Sequence, residues 1–319
     1  MPPPILAAPP PPAVRLTNVT KTFGTHTAVR DLTLTVPTGC TYGFIGPNGS
    51  GKTTTIRTIL HIFHPDSGAV EVLGERSTRA ANDRIGYLPE ERGLYKKMTV
   101  RRVLAYYAAL KGMTRADAAR EIEKWLAKMG LSEWADKKVE ALSKGMAQKI
   151  QFIAAVVARP ELLILDEPFS GLDPVNLEVI RTAILELRAA GTTVIFSTHD
   201  MAMAETMCDF IFMIYRGNKV LDGTLADIQR SYGEDTIRVS CDGGVELLSS
   251  LPGVELVRDL GQSQELRHPD PQALLRDLAP RTTVRHFEVT KPSLHDIFIR
   301  IAKPEAQELA MPKTTGGGS

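Results

Sequence analysis

Gly46-Pro47-Asn48-Gly49-Ser50-Gly51-Lys52-Thr53 is the stretch whose reading decides the fold. It matches the spacing Gly-x4-Gly-Lys-Ser/Thr, directly follows the strand candidate Tyr42-Gly-Phe-Ile and opens a helix near Gly51. Glycines let the backbone curl until successive N–H groups converge on an anion, and the new helix adds its positive end. Lys52 brings a point charge to the outer phosphate oxygens, and the Thr53 hydroxyl is offered to Mg2+. On this reading Gly46, Asn48, Gly49, Ser50, Gly51, Lys52, Thr53 and Thr54 bind a nucleotide polyphosphate.

Working outward, Leu162-Leu-Ile-Leu-Asp166-Glu167 is an apolar strand that ends in two carboxylates. A buried strand has no structural reason to end that way unless the charges meet a cation. Asp166 is the expected Mg2+ partner, and Glu167 is the expected general base on a water attacking the terminal phosphate. Short β-rich runs (Val14 to Val19, Asp31 to Val36, Thr41 to Ile45) precede the cradle. Later apolar runs (Leu162 to Leu165, Thr193 to Phe196, Phe210 to Tyr215) alternate with helical patterns. That alternation predicts an α/β core of buried, mainly parallel strands. From Thr99 to about Pro160 the pattern is helical, with Thr114 as an expected N-cap, and reads as an inserted helical subdomain spanning about 97–160. After Leu221-Asp-Gly-Thr224, short strands and helices run to about Ala302 and predict a small α+β domain. The expected boundaries are a Pro-rich tail at 1–13, a cassette at 14–223, an accessory domain at 224–302 and a flexible tail at 303–319.

Composition narrows the function classes. Lys+Arg is 38 against Asp+Glu 37 over 319 residues, so no bulk charge drives the chain toward nucleic acid, and none is expected as a partner. No apolar run approaches the roughly 20 residues needed to cross a bilayer. The N-terminal MPPPILAAPPPPAV lacks a basic n-region and is too proline-broken for a signal helix. Cys40, Cys208 and Cys241 are odd in number and far apart, which predicts reduced thiols rather than a disulfide framework or zinc site.

Together these residues resemble the ATP-binding cassette of ABC transporters over roughly Val14 to Gly223. Leu142-Ser143-Lys144-Gly145-Met146-Ala147-Gln148-Lys149 is similar to that family's signature, with Lys144 and Met146 departing from it. The resemblance implies that Ser143 and Gly145 contact the terminal phosphate held by an opposite protomer. Ser170-Gly-Leu-Asp173 resembles the loop linking the two sites of a cassette dimer. His199, in Ser197-Thr-His-Asp200, resembles the switch histidine, and Phe23 stands where the family stacks a ring on adenine. In Gly86-Tyr-Leu-Pro-Glu90-Glu91-Arg92-Gly-Leu-Tyr95, Glu90 takes the place of a glutamine and is expected at the metal. That loop, and the run Phe287 to Arg300, are similar to the bacterial branch of sodium-extrusion and drug-resistance ATP-binding subunits. His295 and Asp296 within the run read as a helix start.

The resemblance implies a P-loop NTPase of the ABC type: a Mg-dependent ATPase with ATP and Mg2+ as ligands, Glu167, His199 and Lys52 as catalytic groups, and two cassettes working head to tail. It implies a separate membrane permease docking near residues 90–110, export as the direction of transport, and a position on the inner face of the cell membrane through that partner. Val100 to Tyr107 serves equally as docking face or subdomain core. Two other readings stay open: a soluble ABC-type ATPase remodelling ribosomes or nucleic acid, and a nucleotide-sensing module with a weakened site.

Overall fold

The computed structural model describes residues 11–76, 81–91, 93–232 and 236–310. Most of the Pro-rich tail, Arg92 of the acidic loop and the end of the chain lie outside the described residues. The chain forms two compact units, Met1–Asp222 and Gly223–Ser319.

The first unit is built on a six-stranded sheet in the order β5 (Ile85–Leu88), β6 (Leu162–Asp166), β7 (Thr193–Thr198), β3 (Thr41–Ile45), β8 (Phe210–Tyr215), β9 (Asn218–Thr224). The pairs β5–β6, β6–β7, β7–β3 and β3–β8 are parallel. Every residue of β3, β6 and β7 is buried, because both faces of the sheet are covered. Period-2 alternation sorts their side chains into two cores. Leu163, Leu165, Val194 and Phe196 join the apolar faces of the helical insert, among them Leu104, Trp125 and Phe152. Leu162, Ile164, Ile195, Phe44 and Phe212 join Ile56 and Ile59 of helix α1 (Lys52–Ile59) on the other side.

The insert consists of α2 (Val100–Leu110), α3 (Arg115–Lys128) and α4 (Lys144–Val156). Each opens on a hydroxyl cap, Thr99, Thr114 and Ser143, accepting the N–H of Arg102, Asp117 and Met146 in turn. Helix α2 divides by face: Val100, Val103 and Leu104 are core, while Tyr106 is exposed.

The runs at Val14 and Asp31 lie outside the parallel sheet. They belong to longer strands, β1 (Val14–Phe23) and β2 (His26–Val36), which with β4 (Ser67–Val72) form a separate antiparallel sheet in the order β2-β1-β4. The reason is the turn: Phe23 pairs with His26 across Gly24-Thr25, and Gly24 supplies the positive φ of 58° that so tight a reversal needs. Helix α5 (Pro174–Ala189) and α6 (Met201–Met207) complete the unit.

The second unit begins with α7 (Leu225–Ser231) and then runs β10 (Thr236–Cys241), α8 (Gly244–Ser249), β11 (Glu255–Asp259), β12 (Gln264–Arg267), α9 (Pro271–Leu278), β13 (Val284–Thr290). Its sheet order β11-β12-β10-β13, antiparallel throughout, is the split β-α-β arrangement around a core of Ile237, Val239, Leu248, Leu266, Leu274 and Leu278. Helix α10 (Leu294–Ala310) opens on a reciprocal cap. Asp296 N–H donates to Ser293 Oγ (3.1 Å), and Ser293 N–H donates to Asp296 Oδ2 (3.2 Å), so the His295-Asp296 pair lies at a helix start.

Candidate functional site

The cradle leaves the C-terminal end of β3, beside the point where the sheet order turns back from β7 to β8, the usual ligand crevice of an open parallel sheet. Its shape is fixed by backbone approach. A Cβ on Gly46 would lie 2.2 Å from the Ile214 carbonyl, and one on Gly51 would lie 2.5 Å from the Ala28 carbonyl. Both glycines also hold positive φ, 152° and 115°, so no other residue fits either place.

Lys52 is 5% exposed and donates to the carbonyls of Gly46 (2.7 Å) and Pro47 (3.2 Å). Its Nζ stands 3.7 Å from Glu167 Oε1. Burial lowers the lysine pKa, and the carboxylates of Glu167, Asp166 and Glu90 oppose that shift. A cation held in place by carboxylates within a dry loop is ready to exchange them for phosphate oxygens.

Asp166, at the end of β6, is 1% exposed. Its Oδ1 accepts from Ser197 Oγ (2.5 Å) and Thr53 Oγ1 (3.3 Å), while Oδ2 is buried without a partner. An orphaned buried carboxylate oxygen beside a threonine hydroxyl is the donor set that Mg2+ accepts when phosphates and water supply its other ligands. No group of three His, Cys, Asp or Glu that could hold a metal occurs among the described residues, so such a cation would depend on the nucleotide for most of its shell.

Glu167 occupies the left-handed region with φ 49°, unusual for a non-glycine. The twist turns its carboxylate away from the strand path and toward His199, whose Nδ1 lies 3.1 Å from both carboxylate oxygens. Gln148 Nε2 donates to the Pro168 carbonyl just beyond it (2.7 Å).

A cleft of about 480 Å³ is lined by Phe23, His26, Ala28, Asn48, Gly49, Gly51, Lys52, Thr53, Thr54, Glu90 and Glu167. Phe23 is 44% exposed, edge-on to Phe63 at 5.2 Å, and offers an apolar ring beside the phosphate cradle. Glu90 also lines a smaller cavity of about 140 Å³ with Gln148, Gln151, Asp166 and Glu167. Its neighbour Glu91 is clasped by Arg57 of α1 at 2.8 and 2.9 Å.

Seven sequence-chosen residues are not among those lining the cleft: Gly46, Ser50, Ser143, Gly145, Asp166, Asp173 and His199. Ser143 and Gly145 sit at the start of α4, and a Cβ on Gly145 would lie 2.9 Å from Asn176 Nδ2. Asp173 caps α5, accepting the N–H of Val175 and Asn176. Residues that sequence reasoning passed over are His26 and Ala28 on the cleft wall, Gln148, and above all Ser197. Its signal was a hydroxyl directly after the apolar run Val194 to Phe196 of β7.

The fold and the cradle define a nucleotide-hydrolysing P-loop protein. A family model described as ABC transporter matches residues 29–170, and one for the C-terminal domain of DrrA1-3-like ATP-binding proteins matches 223–302. An uncharacterized ABC transporter ATP-binding protein, YhaQ of Bacillus subtilis, is 42% identical over 285 residues, covering 88% of this chain and 96% of that protein. The Nod factor export ATP-binding protein I of Sinorhizobium fredii is 33% identical, covering 93% and 88%. The linearmycin resistance ATP-binding protein LnrL of Bacillus subtilis is 31% identical, covering 89% and 96%. A solved ATP-binding subunit of an ABC transporter superposes with TM-score 0.65 at 31% identity, covering 69% of this chain and 93% of that one. The chain belongs to the ATP-binding proteins of ABC transporters. It is an ATPase that powers a transporter, and the soluble-remodeller reading is not favoured. No helix among the described residues is long and apolar enough to cross a membrane.

Proposed function

We propose that this chain drives an exporter by Mg-dependent ATP hydrolysis within a head-to-tail pair of cassettes coupled to a separate membrane permease. The observation that carries the site reading is the set of contacts that ties Lys52 to Glu167, Glu167 to His199 and Thr53 to Asp166. Lys52 holds the β- and γ-phosphate oxygens, and the cradle N–H groups hold the rest. Thr53 and Asp166 Oδ2, with Glu90 on the cleft wall, would hold Mg2+, which when bound supplies charge neutralisation across the phosphates. Glu167 takes the proton of the attacking water as the new P–O bond forms and the bond to the ADP oxygen breaks, and His199 orients the Glu167 carboxylate. Phe23 stacks on the base. Ser143 and Gly145 close on the γ-phosphate of the opposite protomer, and Asp173 lies between the two sites.

Export is supported by the roles named for two relatives, Nod factor export and linearmycin resistance. The permease docks near residues 90–110, where Tyr95 and Tyr106 are exposed, and holds the chain at the inner membrane face. The cassette spans 14–223, and the accessory domain at 224–302 regulates or stabilises the dimer. Truncation after Gly223 that left dimerisation, ATPase rate and transport unchanged would remove that last role.

The decisive experiment traps Glu167→Gln with Mg-ATP, solubilises cells in mild detergent and identifies what co-elutes. A multispanning membrane protein in stoichiometric amount is expected. Ribosomal or nucleic-acid partners with no membrane protein would overturn the transporter arrangement.

A further inference from the structure

We propose that Ser197 is a positioning residue for hydrolysis: its one hydroxyl selects which Asp166 oxygen stays open and fixes the backbone from which Glu167 projects. This rests on the roles given above to Asp166 and Glu167.

The register places it there. In the parallel ladder of β6 and β7, Asp166 stands opposite Ser197, with Leu165 opposite Phe196 one step earlier. A slip of one residue would bring Phe196 or Thr198 to the carboxylate instead. Ser197 is fully buried, so its hydroxyl finds partners only within the protein. A serine hydroxyl has one proton and two lone pairs, and two of these capacities are in use. It donates to Asp166 Oδ1 at 2.5 Å and accepts the Glu167 N–H at 2.9 Å.

Two consequences follow from those two bonds. Oδ1 receives both Ser197 and Thr53, which leaves Oδ2 as the buried oxygen free to meet a cation. Glu167 sits at φ 49°, a conformation that persists only where its surroundings over-determine it. Ser197 holds its N–H from the β7 side, and Gln148 holds the next carbonyl from the α4 side. Ser197 is also two residues from His199, so a single strand end carries both the histidine that meets the Glu167 carboxylate and the hydroxyl that meets its amide.

The test compares Ser197→Ala, Ser197→Cys and Ser197→Thr in the full chain, with Asp166→Asn as reference. Mn2+ affinity of the ADP complex is read from the electron-paramagnetic-resonance signal of free Mn2+, and ADP affinity is measured separately in EDTA. The cysteine keeps the shape with a far weaker donor, and the threonine keeps the hydroxyl. Expected is an approximately tenfold loss of Mn2+ affinity in the alanine and cysteine variants, approaching Asp166→Asn, with ADP affinity in EDTA unchanged. In turnover, kcat falls about 10- to 100-fold while KM for ATP stays within about threefold. Ser197→Thr stays close to wild type in both readouts. Should the alanine variant fail to fold, the cysteine and threonine pair decides. Cysteine behaving as wild type, or threonine losing as much as alanine or cysteine, overturns the proposal in favour of simple packing. Turnover surviving in Glu167→Gln would strike the general-base reading, and unchanged Mn2+ affinity in Asp166→Asn the metal reading, so each failure is separate from that of Ser197.

Discussion

The largest sheet of the first unit and the sheet of the second use polar residues in opposite ways. In the six-stranded sheet the central strands β3, β6 and β7 are buried at every position, and the charged or phosphate-directed groups begin where the strands end. In the four-stranded sheet polar groups are distributed along the strands. Arg238 of β10 meets the buried Glu265 of β12, while β13 exposes Arg285, His286 and Glu288. A sheet covered on both faces tolerates charge only at its ends, so charge there signals chemistry. A sheet with one polar face fills that face with ion pairs, and charge there signals packing and solvation.

The contrast breaks most visibly if its two sides respond alike to loss of a key group. Lys52→Ala should lower phosphate release by at least about 1000-fold, because the γ-phosphate loses its only lysine from the cradle. Leu266→Ala, in the core of the second unit, should cost that unit about 2–5 kcal/mol in denaturant unfolding and leave ADP affinity within about twofold. Equal effects of both on nucleotide binding would contradict the division of labour.

Within the cradle, backbone approach should outweigh conformational preference. Gly46→Ala forces a Cβ to 2.2 Å from a backbone carbonyl and should reduce ADP affinity by at least about 100-fold. Gly49→Ala meets nothing within 4 Å, bears only the cost of its φ of 75°, and should destabilise by about 1 kcal/mol. Titration of ADP binding by fluorescence separates the two.

Ion pairs sharpen the comparison at smaller scale. Arg238→Met leaves the carboxylate of Glu265, only 8% exposed, without its guanidinium, and should cost about 1–3 kcal/mol in chemical unfolding. Arg57→Met frees Glu91, which is 75% exposed, and should cost under about 1 kcal/mol.

The smallest effect concerns pH. Burial, aided by the nearby Asp209, pushes the Cys40 thiol up to about 11 from an ordinary value of 9.0. The folded state then keeps a proton that the unfolded chain releases. This contribution is complete below about pH 9 and is lost as pH rises through about 11, with a slope of at most about 1.4 kcal/mol per unit. Thermal melts between those values should flatten in Cys40→Ala.

Legibility followed the same division. The cradle was readable because its chemistry is local: a short run of residues supplies the turn, the helix start and the lysine. The carboxylate pair was readable because an apolar strand ending in charge is costly without a partner. The α+β character of the second unit was visible in its turn signals, but its strand order was not, since alternating strands pair equally well with several neighbours until the core selects one. The first two β-rich runs were likewise visible as strands, yet they belong to a sheet of their own, a placement set by the Phe23–His26 turn and the pairing of β1 with β4.

Sequence by itself determined the class of protein, the buried α/β core and the residues that build the cradle, because each depends on residues within one turn or one strand. Tertiary structure alone decided the partners of those groups. That Glu167 turns to His199 through a left-handed backbone, that Ser197 rather than a neighbour faces Asp166, and that Asp166 keeps one oxygen open all follow from the register of β6 against β7. Register is a property of two strands about 30 residues apart along the chain, closed by packing on both faces of the sheet, and no local stretch encodes it.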